Sequence, residues 1–241
     1  MRRGWVIDLE KCIGCRSCMV ACKQHNAGPR GTWWNRVFTP GSSEHMIPSP
    51  QGKEYFLPVT CQHCKNAPCV RACPVDATYH QSDNSVLIDY DRCIGCRCCV
   101  TACPYGVRQF NWEDPEKIHA REEQSVPDYR YGYPREFYKD GRLVYMPVRY
   151  KGITEKCHFC VHYQEEGLDP ACVRCCPGNA RYVGDLDDPM SEVSRLIRDR
   201  DGFTLIPEKG TDPSCYYLPP KRKNSIEDGA EEGAENGANH E

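Results

Sequence analysis

The sequence predicts an α+β fold of short strands and short helices, arranged as two similar units with long connecting loops and a β-hairpin insert. Three observations lead to this expectation. Cysteines make up 19 of the 241 residues and fall into four blocks with related internal spacing. Short alternating apolar stretches flank the blocks, as is typical of β-strands. The hydrophobic fraction of 39% counts the cysteines, so the remaining apolar core is small for this length.

The four blocks share one pattern of cysteine spacing. Each opens with C-x2-C and closes with C-x3-C, and only the gap between these pairs varies. Proline follows the last cysteine of blocks two, three and four. Residues 6–22 align without gaps to residues 87–103, and "PCVRACP" of block two aligns to "ACVRCCP" of block four. The blocks contain, in order, Cys12, Cys15, Cys18, Cys22; Cys61, Cys64, Cys69, Cys73; Cys93, Cys96, Cys99, Cys103; and Cys157, Cys160, Cys172, Cys176.

Three cysteines fall outside this pattern. The alignments put Cys98 opposite Ser17 and Cys175 opposite Ala72, so equivalent positions hold a hydroxyl or a methyl group. Cys215 lies alone near the C-terminus. The sequence therefore separates sixteen candidate ligands from three extra thiols.

The spacing is typical of iron–sulfur proteins. Three cysteines on a tight loop can reach three corners of a cubane, and a fourth followed by proline can ligate the other cluster of a pair. Gly14 and Gly95 allow the backbone to approach a cluster closely. Structural zinc sites need only two C-x2-C pairs, and disulfide scaffolds are expected in shorter secreted chains with an even cysteine count. We therefore predict four [4Fe–4S] clusters.

Four clusters would add a large buried negative charge, which needs compensation. Residues 1–223 hold 31 basic and 28 acidic residues, so this part is nearly neutral and no nucleic-acid partner is expected. A few basic residues within or beside the blocks are expected to stabilise reduced clusters. The candidates are Lys11, Arg16, Lys23, Lys65, Arg71, Arg92, Arg97, Arg108, Lys156, Arg174 and Arg181.

Two histidines, His63 and His158, lie between cysteines in "CQHC" and "CHFC". Because every block already supplies four cysteines, no ligand position is left for them. Solvated loop positions are expected, and a hydrogen bond that tunes a cluster potential is the alternative.

Secondary structure is expected on both sides of the blocks. Residues 5–9 and 85–90 alternate well enough for strands before blocks one and three. Residues 77–80 and 180–186 are candidate return strands after blocks two and four. The segments that close blocks one, two and three are long enough for only one or two helical turns.

Two long connections carry further signals. "FYKDGRLVY" within the insert at 111–152 predicts a hairpin with an Asp140-Gly141 turn. The insert is rich in Tyr and Arg, a composition typical of interfaces. We expect the insert and the Trp33-Trp34 region to contact partner subunits, with a local cover over a cluster as the alternative.

The chain ends carry little sign of a packed core or a membrane anchor. Residues 224–241 hold six acidic residues and no Lys or Arg, and this Gly-Ala-Glu composition predicts a disordered acidic tail. No run approaches the roughly 18 apolar residues of a membrane helix, and mean hydropathy is −0.69, so no direct membrane span is expected. The N-terminus lacks the apolar stretch of a secretory signal.

The pairing of the blocks stays open on spacing alone. Blocks two and three are neighbours in sequence, while block four resembles block two and block one resembles block three. Pairing one with four and two with three fits this repeat. Pairing one with two and three with four fits it equally well.

A family resemblance bears on this choice. The four blocks and "CVRCCPGNARYVGDLDDPMSEVSRLI" resemble the four-cluster iron–sulfur subunits of molybdopterin oxidoreductases, especially those of arsenate, polysulfide and dimethyl sulfoxide reductases. The resemblance covers about residues 1–220. It implies one domain at 1–223 with two ferredoxin-like dicluster units, which pair block 12–22 with 157–176 and block 61–73 with 93–103. The implied ligand sets are Cys12, Cys15, Cys18, Cys176; Cys157, Cys160, Cys172, Cys22; Cys61, Cys64, Cys69, Cys103; and Cys93, Cys96, Cys99, Cys73.

No nucleophile–base pair, phosphate loop or flavin fingerprint is evident, so we expect electron transfer by a non-catalytic beta subunit. The resemblance implies a relay, in anaerobic respiration, between a molybdenum or tungsten pterin catalytic subunit and a quinone-linked membrane anchor or soluble carrier. A subunit of a hydrogenase or formate-hydrogen complex is the alternative. The resemblance also implies a prokaryotic, membrane-associated complex on the periplasmic face, reached by co-export with a signal-bearing partner, with a cytoplasmic location as the alternative.

Overall fold

The computed structural model describes residues 1–26, 28, 31–40, 55–112, 137–145 and 151–220. Short strands and short helices alternate within these ranges, which agrees with the α+β prediction. The strands are β1 (Arg3–Asp8), β2 (Asn35–Phe38), β3 (Leu57–Thr60), β4 (Thr78–His80), β5 (Val86–Ile88), β6 (Gln109–Phe110), β7 (Phe137–Lys139), β8 (Arg142–Tyr145), β9 (Thr154–Glu155), β10 (Arg181–Asp185) and β11 (Cys215–Leu218). The helices are α1 (Ser17–His25), α2 (Pro68–Arg71), α3 (Cys98–Ala102), α4 (Val161–Gln164), α5 (Ala171–Arg174) and α6 (Glu192–Asp199), with a 3₁₀ turn at Pro207–Lys209.

A three-stranded sheet in the order β10-β1-β11 lies at the centre of the fold. The middle strand pairs antiparallel with β10 and parallel with β11. Trp5, Val6 and Ile7 on this strand have no exposed surface, because the strand is covered on both faces. Cysteines from all four blocks belong to the same cluster of buried residues as Trp5 and Ile7. The core is therefore built around the cysteines.

The sequence repeat extends to the strand pairing. β4, after block two, pairs antiparallel with β5, before block three. β10, after block four, pairs in the same way with β1, before block one. Thr78 lies opposite Ile88 and Arg181 lies opposite Ile7, and these four residues occupy matching positions of the repeat. The strand that follows block four thus returns to the start of the chain.

The helices follow the same association of blocks. α1 of block one packs against α5 of block four, and α2 of block two packs against α3 of block three. α2 and α3 have four and five residues, so they form about one turn, as predicted. α5 of block four, for which no helix was predicted, has four residues. α1 has nine residues and continues to His25, beyond the last cysteine of block one.

The hairpin prediction is confirmed. β7 and β8 pair antiparallel, and Asp140 and Gly141 between them have φ of 51° and 73°, the positive values that a tight hairpin turn needs. Most of the insert at 111–152 and the whole predicted tail at 224–241 lie outside the described residues. β6 and β9 pair at the base of the insert. Among the described residues, no helix combines the length and apolar character needed to cross a membrane.

The "CIGC" loops of blocks one and three share a left-handed backbone. Gly14 and Gly95 have φ of 68° and 66°, and Arg16 and Arg97 have φ of 61° and 64°. A Cβ atom on Gly95 would lie 1.8 Å from the carbonyl oxygen of Gly152. Glycine at position 95 is therefore required both by its conformation and by the close approach of a second chain segment.

We expect Gly95→Ala to destabilise the purified protein more than Gly141→Ala. A left-handed conformation costs alanine about 1–2 kcal/mol at either site. At Gly141 a Cβ would meet no atom within 4 Å, whereas at Gly95 the Gly152 carbonyl would also have to move. Denaturant unfolding measures both losses, and equal values would show that the contact with Gly152 is unimportant.

Candidate iron–sulfur cluster sites

Three cavities are each lined by four cysteines. In every one, three cysteines come from one block and the fourth comes from the block that the family resemblance pairs with it. The first cavity is lined by Cys12, Cys15, Cys18 and Cys176, the second by Cys93, Cys96, Cys99 and Cys73, and the third by Cys157, Cys160, Cys172 and Cys22.

The remaining four predicted ligands are also close together. Burial raises the pKa of the Cys64 thiol to about 12, and the neighbouring charges of Cys61, Cys69 and Cys103 act in the same direction. Burial likewise raises the pKa of Cys103, with contributions from Cys61 and Cys69. The structure therefore brings together three cysteines of block two and the last cysteine of block three.

The four sets lie at different depths. Cys15 and Cys96 are exposed, whereas the set of Cys22, Cys157, Cys160 and Cys172 is wholly buried. In the set of Cys61, Cys64, Cys69 and Cys103, only Cys103 is not fully buried. We refer to the sets that contain Cys15 and Cys96 as the outer sets, and to the other two as the inner sets.

The cavities fit a polynuclear cluster. A structural zinc ion needs its thiolates about 2.3 Å away. Within the described ranges, no three His, Cys, Asp or Glu side chains are close enough to hold a single metal ion. All 19 cysteines are free of disulfides, so every predicted ligand has its thiol available.

Positive charge is buried beside the cysteine sets. Of the eleven basic candidates, Arg108, Lys156 and Arg181 are buried, with 4%, 1% and 4% of their surface exposed. Burial alone would lower the pKa of each arginine, but the negative charge of nearby cysteines outweighs it and raises both pKa values. Each guanidinium therefore supplies a fixed positive charge inside the core.

Lys156 joins the two halves of the fold. Its ammonium group donates to the carbonyl oxygen of Val86 on β5 and to that of Cys157, the latter at 2.8 Å. Strand β5 precedes block three, and Cys157 opens block four. The side chain thus connects a strand of one dicluster region to a cysteine loop of the other.

The prediction that His63 and His158 are solvated is wrong, because their exposures are 0% and 4%. The loops between cysteines turn inward, and the His63 ring lies 3.9 Å from the ring of Phe159, measured between centroids. The backbone N–H of Val86 donates to His63 Nδ1 at 3.0 Å, and that of Val161 donates to His158 Nδ1 at 3.2 Å. An accepting Nδ1 requires the proton on Nε2 in the neutral ring. Burial, followed by the charge of Lys156, holds the pKa of His63 well below its usual value.

The expected partner contact of the Trp33-Trp34 region is wrong for Trp34. This side chain is 5% exposed and lines the inner cavity that contains Cys22. Its indole N–H donates to the buried carboxylate of Glu155 at 3.2 Å. Trp34 therefore supports the alternative interpretation, in which this region covers a cluster locally.

Sequence reasoning missed Asn26. Its amide Nδ2 donates to the carbonyl oxygen of Cys22 at 2.8 Å and lies 3.7 Å from the sulfur of Cys22 and 4.0 Å from that of Cys160. The side chain is 1% exposed and lines the same inner cavity. An amide donor directed at two cysteine sulfurs can stabilise negative charge on them. An asparagine four residues after the last cysteine of block one was the available signal.

The three extra cysteines lie in different environments. Cys98 is exposed and Cys175 is partly buried. Cys215 is fully buried on β11, opposite Trp5 of β1. Burial raises the pKa of Cys215 to about 12, and smaller contributions come from Cys61 and Cys157. Cys215 therefore lies near one cysteine of each inner set and remains a neutral thiol.

Comparisons with known proteins agree with this geometry. Two families described as "4Fe-4S dicluster domain" match, one at residues 53–120 and 144–186 and the other at residues 11–77. An iron–sulfur subunit assigned to dimethyl sulfoxide reductase in Halobacterium salinarum is 48% identical over 224 residues, which cover 89% of this chain and 78% of that protein. The corresponding subunit of selenate reductase from Mesobacillus selenatarsenatis is 42% identical, with coverages of 88% and 70%. The arsenate respiratory reductase iron–sulfur subunit of Shewanella sp. strain ANA-3 is 41% identical, with coverages of 90% and 96%.

The matches and the four cysteine sets define an iron–sulfur protein with ferredoxin-like dicluster domains and four [4Fe–4S] clusters. The chain belongs to the family of iron–sulfur subunits of molybdopterin oxidoreductases. It is an electron-transfer subunit of a prokaryotic respiratory complex. The relatives support this interpretation over that of a hydrogenase or formate-hydrogen subunit.

We expect Lys156→Met to lower the free energy of unfolding by about 1–3 kcal/mol, because two buried carbonyl groups lose a charged donor. Lys65→Met is the matched control, since Lys65 lies beside block two but is exposed, and its change should stay within about 0.5 kcal/mol. Denaturant unfolding under anaerobic conditions measures both variants. A Lys156→Met protein as stable as the control would mean that the buried ammonium does not hold the two halves together.

Proposed function

We propose that sixteen cysteines ligate the four clusters in two pairs, one from blocks one and four and one from blocks two and three. The single observation that carries this proposal is the composition of the cysteine cavities. Each is completed by one cysteine from the partner block. The matching registers of β1 with β10 and of β4 with β5 support the same pairing. The described ligands all lie within a single four-cluster domain at 1–223.

The residues around the cysteines would hold and tune the clusters. When bound, the clusters supply one-electron redox chemistry over a range of potentials of about −700 to +450 mV. Arg108 and Arg181 place positive charge beside the sets, and Asn26 offers an amide donor to two sulfurs. Trp34 lines the inner cavity that contains Cys22 and would exclude water from it. We assign the chain the role of a non-catalytic beta subunit.

Exposure gives the order of the relay. The outer sets would form its two ends, because Cys15 and Cys96 reach the surface, and the inner sets would form its middle. Cys215 lies near one cysteine of each inner set, so the two pairs would meet at β11. In this order the chain would relay electrons between two separate sites on its surface.

The two ends suit two different partners. We assign one to a molybdopterin-containing catalytic subunit and the other to a quinone-linked membrane anchor or soluble carrier. Ile13 and Ile94, beside the exposed ligands, are 63% and 64% exposed. At the second end the Arg97 guanidinium lies 4.8 Å from the ring centre of Trp112, which is also 64% exposed. Exposed apolar and Arg–aromatic groups are common in protein interfaces. The complex would lie on the periplasmic face after co-export with a signal-bearing partner.

Cys96→Ser is expected to disrupt one cluster, while Cys98→Ser should change nothing. The anaerobic wild-type chain should hold about sixteen irons and sixteen acid-labile sulfides. Cys96→Ser should lose about one to four irons or produce the electron paramagnetic resonance (EPR) signal of an oxidised three-iron cluster. The neighbouring Cys98 is exposed like Cys96 and serves as the control. Iron loss in Cys98→Ser with full content in Cys96→Ser would overturn the ligand assignment.

Native purification of the tagged chain tests the partners. A large subunit with molybdenum or tungsten pterin should co-purify, in a membrane-associated periplasmic fraction. Ile13→Asp and Ile94→Asp should each weaken a different partner, so one variant loses the pterin subunit and the other loses reduction by quinol or carrier. Met190→Asp is the control, because Met190 is 73% exposed and lines neither outer cavity. Co-purification of a hydrogenase, or loss of the same partner in both Ile variants, would contradict the assignment.

A further inference from the structure

One buried arginine lies within each pair of cysteine sets. Arg181 and Arg108 each follow the last cysteine of a block by five residues, Cys176 and Cys103 respectively. Both side chains are 4% exposed. A charged group is buried at this depth only where opposite charge or strong hydrogen bonds compensate it.

Arg181 lies between the cavities of the first pair. The residue lines the outer cavity that contains Cys12. Its Nη2 donates to the Asn35 side-chain oxygen at 2.8 Å, and Asn35 lines the inner cavity that contains Cys22. Its Nη1 is buried and, among the described residues, has no hydrogen-bond acceptor.

Arg108 has an equivalent environment in the second pair. Its Nη1 donates to the Thr78 hydroxyl at 3.2 Å, and Thr78 lines the outer cavity that contains Cys96. Its Nη2 is also buried without an acceptor in the part of the chain that the structure describes. Cysteines of the inner set, Cys61 and Cys69, lie within electrostatic reach.

The two arginines are not copies of each other in the sequence repeat. The repeat puts Arg181 opposite Thr78 and Arg108 opposite Ala27. Each pair therefore contains one arginine at this spacing, but the residue comes from block four in the first pair and from block three in the second. The single buried guanidinium of each pair therefore comes from a different position of the repeat. This is expected if each pair requires the positive charge itself.

We propose that Arg181 and Arg108 are the counter-cations of the two cluster pairs, and that each raises the reduction potentials of its own pair only. The proposal rests on the proposed ligand sets. Reduction adds one negative charge to a cluster, and a nearby fixed positive charge stabilises that charge by an amount that water screens poorly in the core. Arg181 acts on both sets of the first pair, since it lines the outer cavity and interacts with Cys172 of the inner set. Arg108 interacts most strongly with Cys69 of the inner set and also acts on Cys99 of the outer set. Both are positioning residues that do not themselves take up electrons.

The test is a potentiometric titration of the purified anaerobic protein, followed by EPR, with signals assigned to sets through single Cys→Ser variants. Arg181→Met should shift the reduction equilibrium of the first pair at least tenfold toward the oxidised state, which is about 59 mV for a one-electron couple. The second pair should not move. Arg108→Met should give the reverse pattern, and Arg181→Lys should retain most of the wild-type potential.

Two further variants keep the test decisive. Asn35→Asp preserves shape but adds a carboxylate against Arg181, so it should lower the same potentials even if Arg181→Met fails to assemble. Arg174→Met removes an exposed charge from block four and should leave all potentials unchanged. Full iron content with unchanged potentials in Arg181→Met or Asn35→Asp would overturn the proposal while the ligand sets stand. A wild-type chain without four clusters would instead overturn the ligand sets.

Discussion

The fold depends on one constraint: each cysteine cavity is completed by a residue from a distant block. Cys176 shares a cavity with Cys12, and Cys22 shares another with Cys157. Because blocks one and four share two cavities in this way, the two segments are held against each other in two places. The pairing of β10 with β1 and the packing of α5 on α1 follow from this. The N-terminal strand thereby becomes the middle strand of the central sheet, between two strands from the C-terminal part.

This constraint also explains why a small apolar core is sufficient. The cluster of buried residues contains cysteines from every block beside Trp5, Leu57 and Tyr217. Their thiols would be poorly charged without metal, since burial raises the pKa of Cys22 well above its usual value and that of Cys172 to about 12. Iron must displace those protons, so metal binding and folding are thermodynamically coupled. The metal–sulfur bonds then supply the stability that apolar packing would supply in a larger core.

Local patterns carried most of the fold and the site prediction. Alternation located β1 and β5, the position after the Cys-Pro of blocks two and four located β4 and β10, and the Asp140-Gly141 turn located the hairpin, because these signals act between neighbouring residues. Comparison of the cysteine spacing with the repeat separated Cys98, Cys175 and Cys215 from the candidate ligands. Spacing could not choose between the two block pairings, since contacts across more than a hundred residues leave no local pattern.

Whether a given side chain is buried could not be predicted from its position in the sequence alone. Lys156 and Lys65 both lie beside cysteines, yet one is buried between carbonyl groups and the other is exposed. His63 and Trp34 were assigned to the surface because loops usually are. Loops that wrap a cluster are an exception, because their backbone bends around the site and turns intervening side chains inward. Only knowledge of which segments cover which cavity separates these cases.

The two outer cysteine sets share one backbone conformation but have chemically different surroundings. The "CIGC" loops have matching φ values at Gly14 and Gly95 and expose equivalent cysteines. The surrounding side chains differ, because Ser17 is replaced by Cys98 and Arg97 at the second end lies over the ring of Trp112. Similar ligand geometry at both ends suits the same one-electron chemistry. If each end meets a different partner, as proposed, discrimination between them would reside in the side chains around the exposed cysteine, which can diverge while the cysteine loops remain equivalent. Under the proposed function, a duplicated dicluster unit would thus connect two unlike proteins without any change in the cysteine loops themselves.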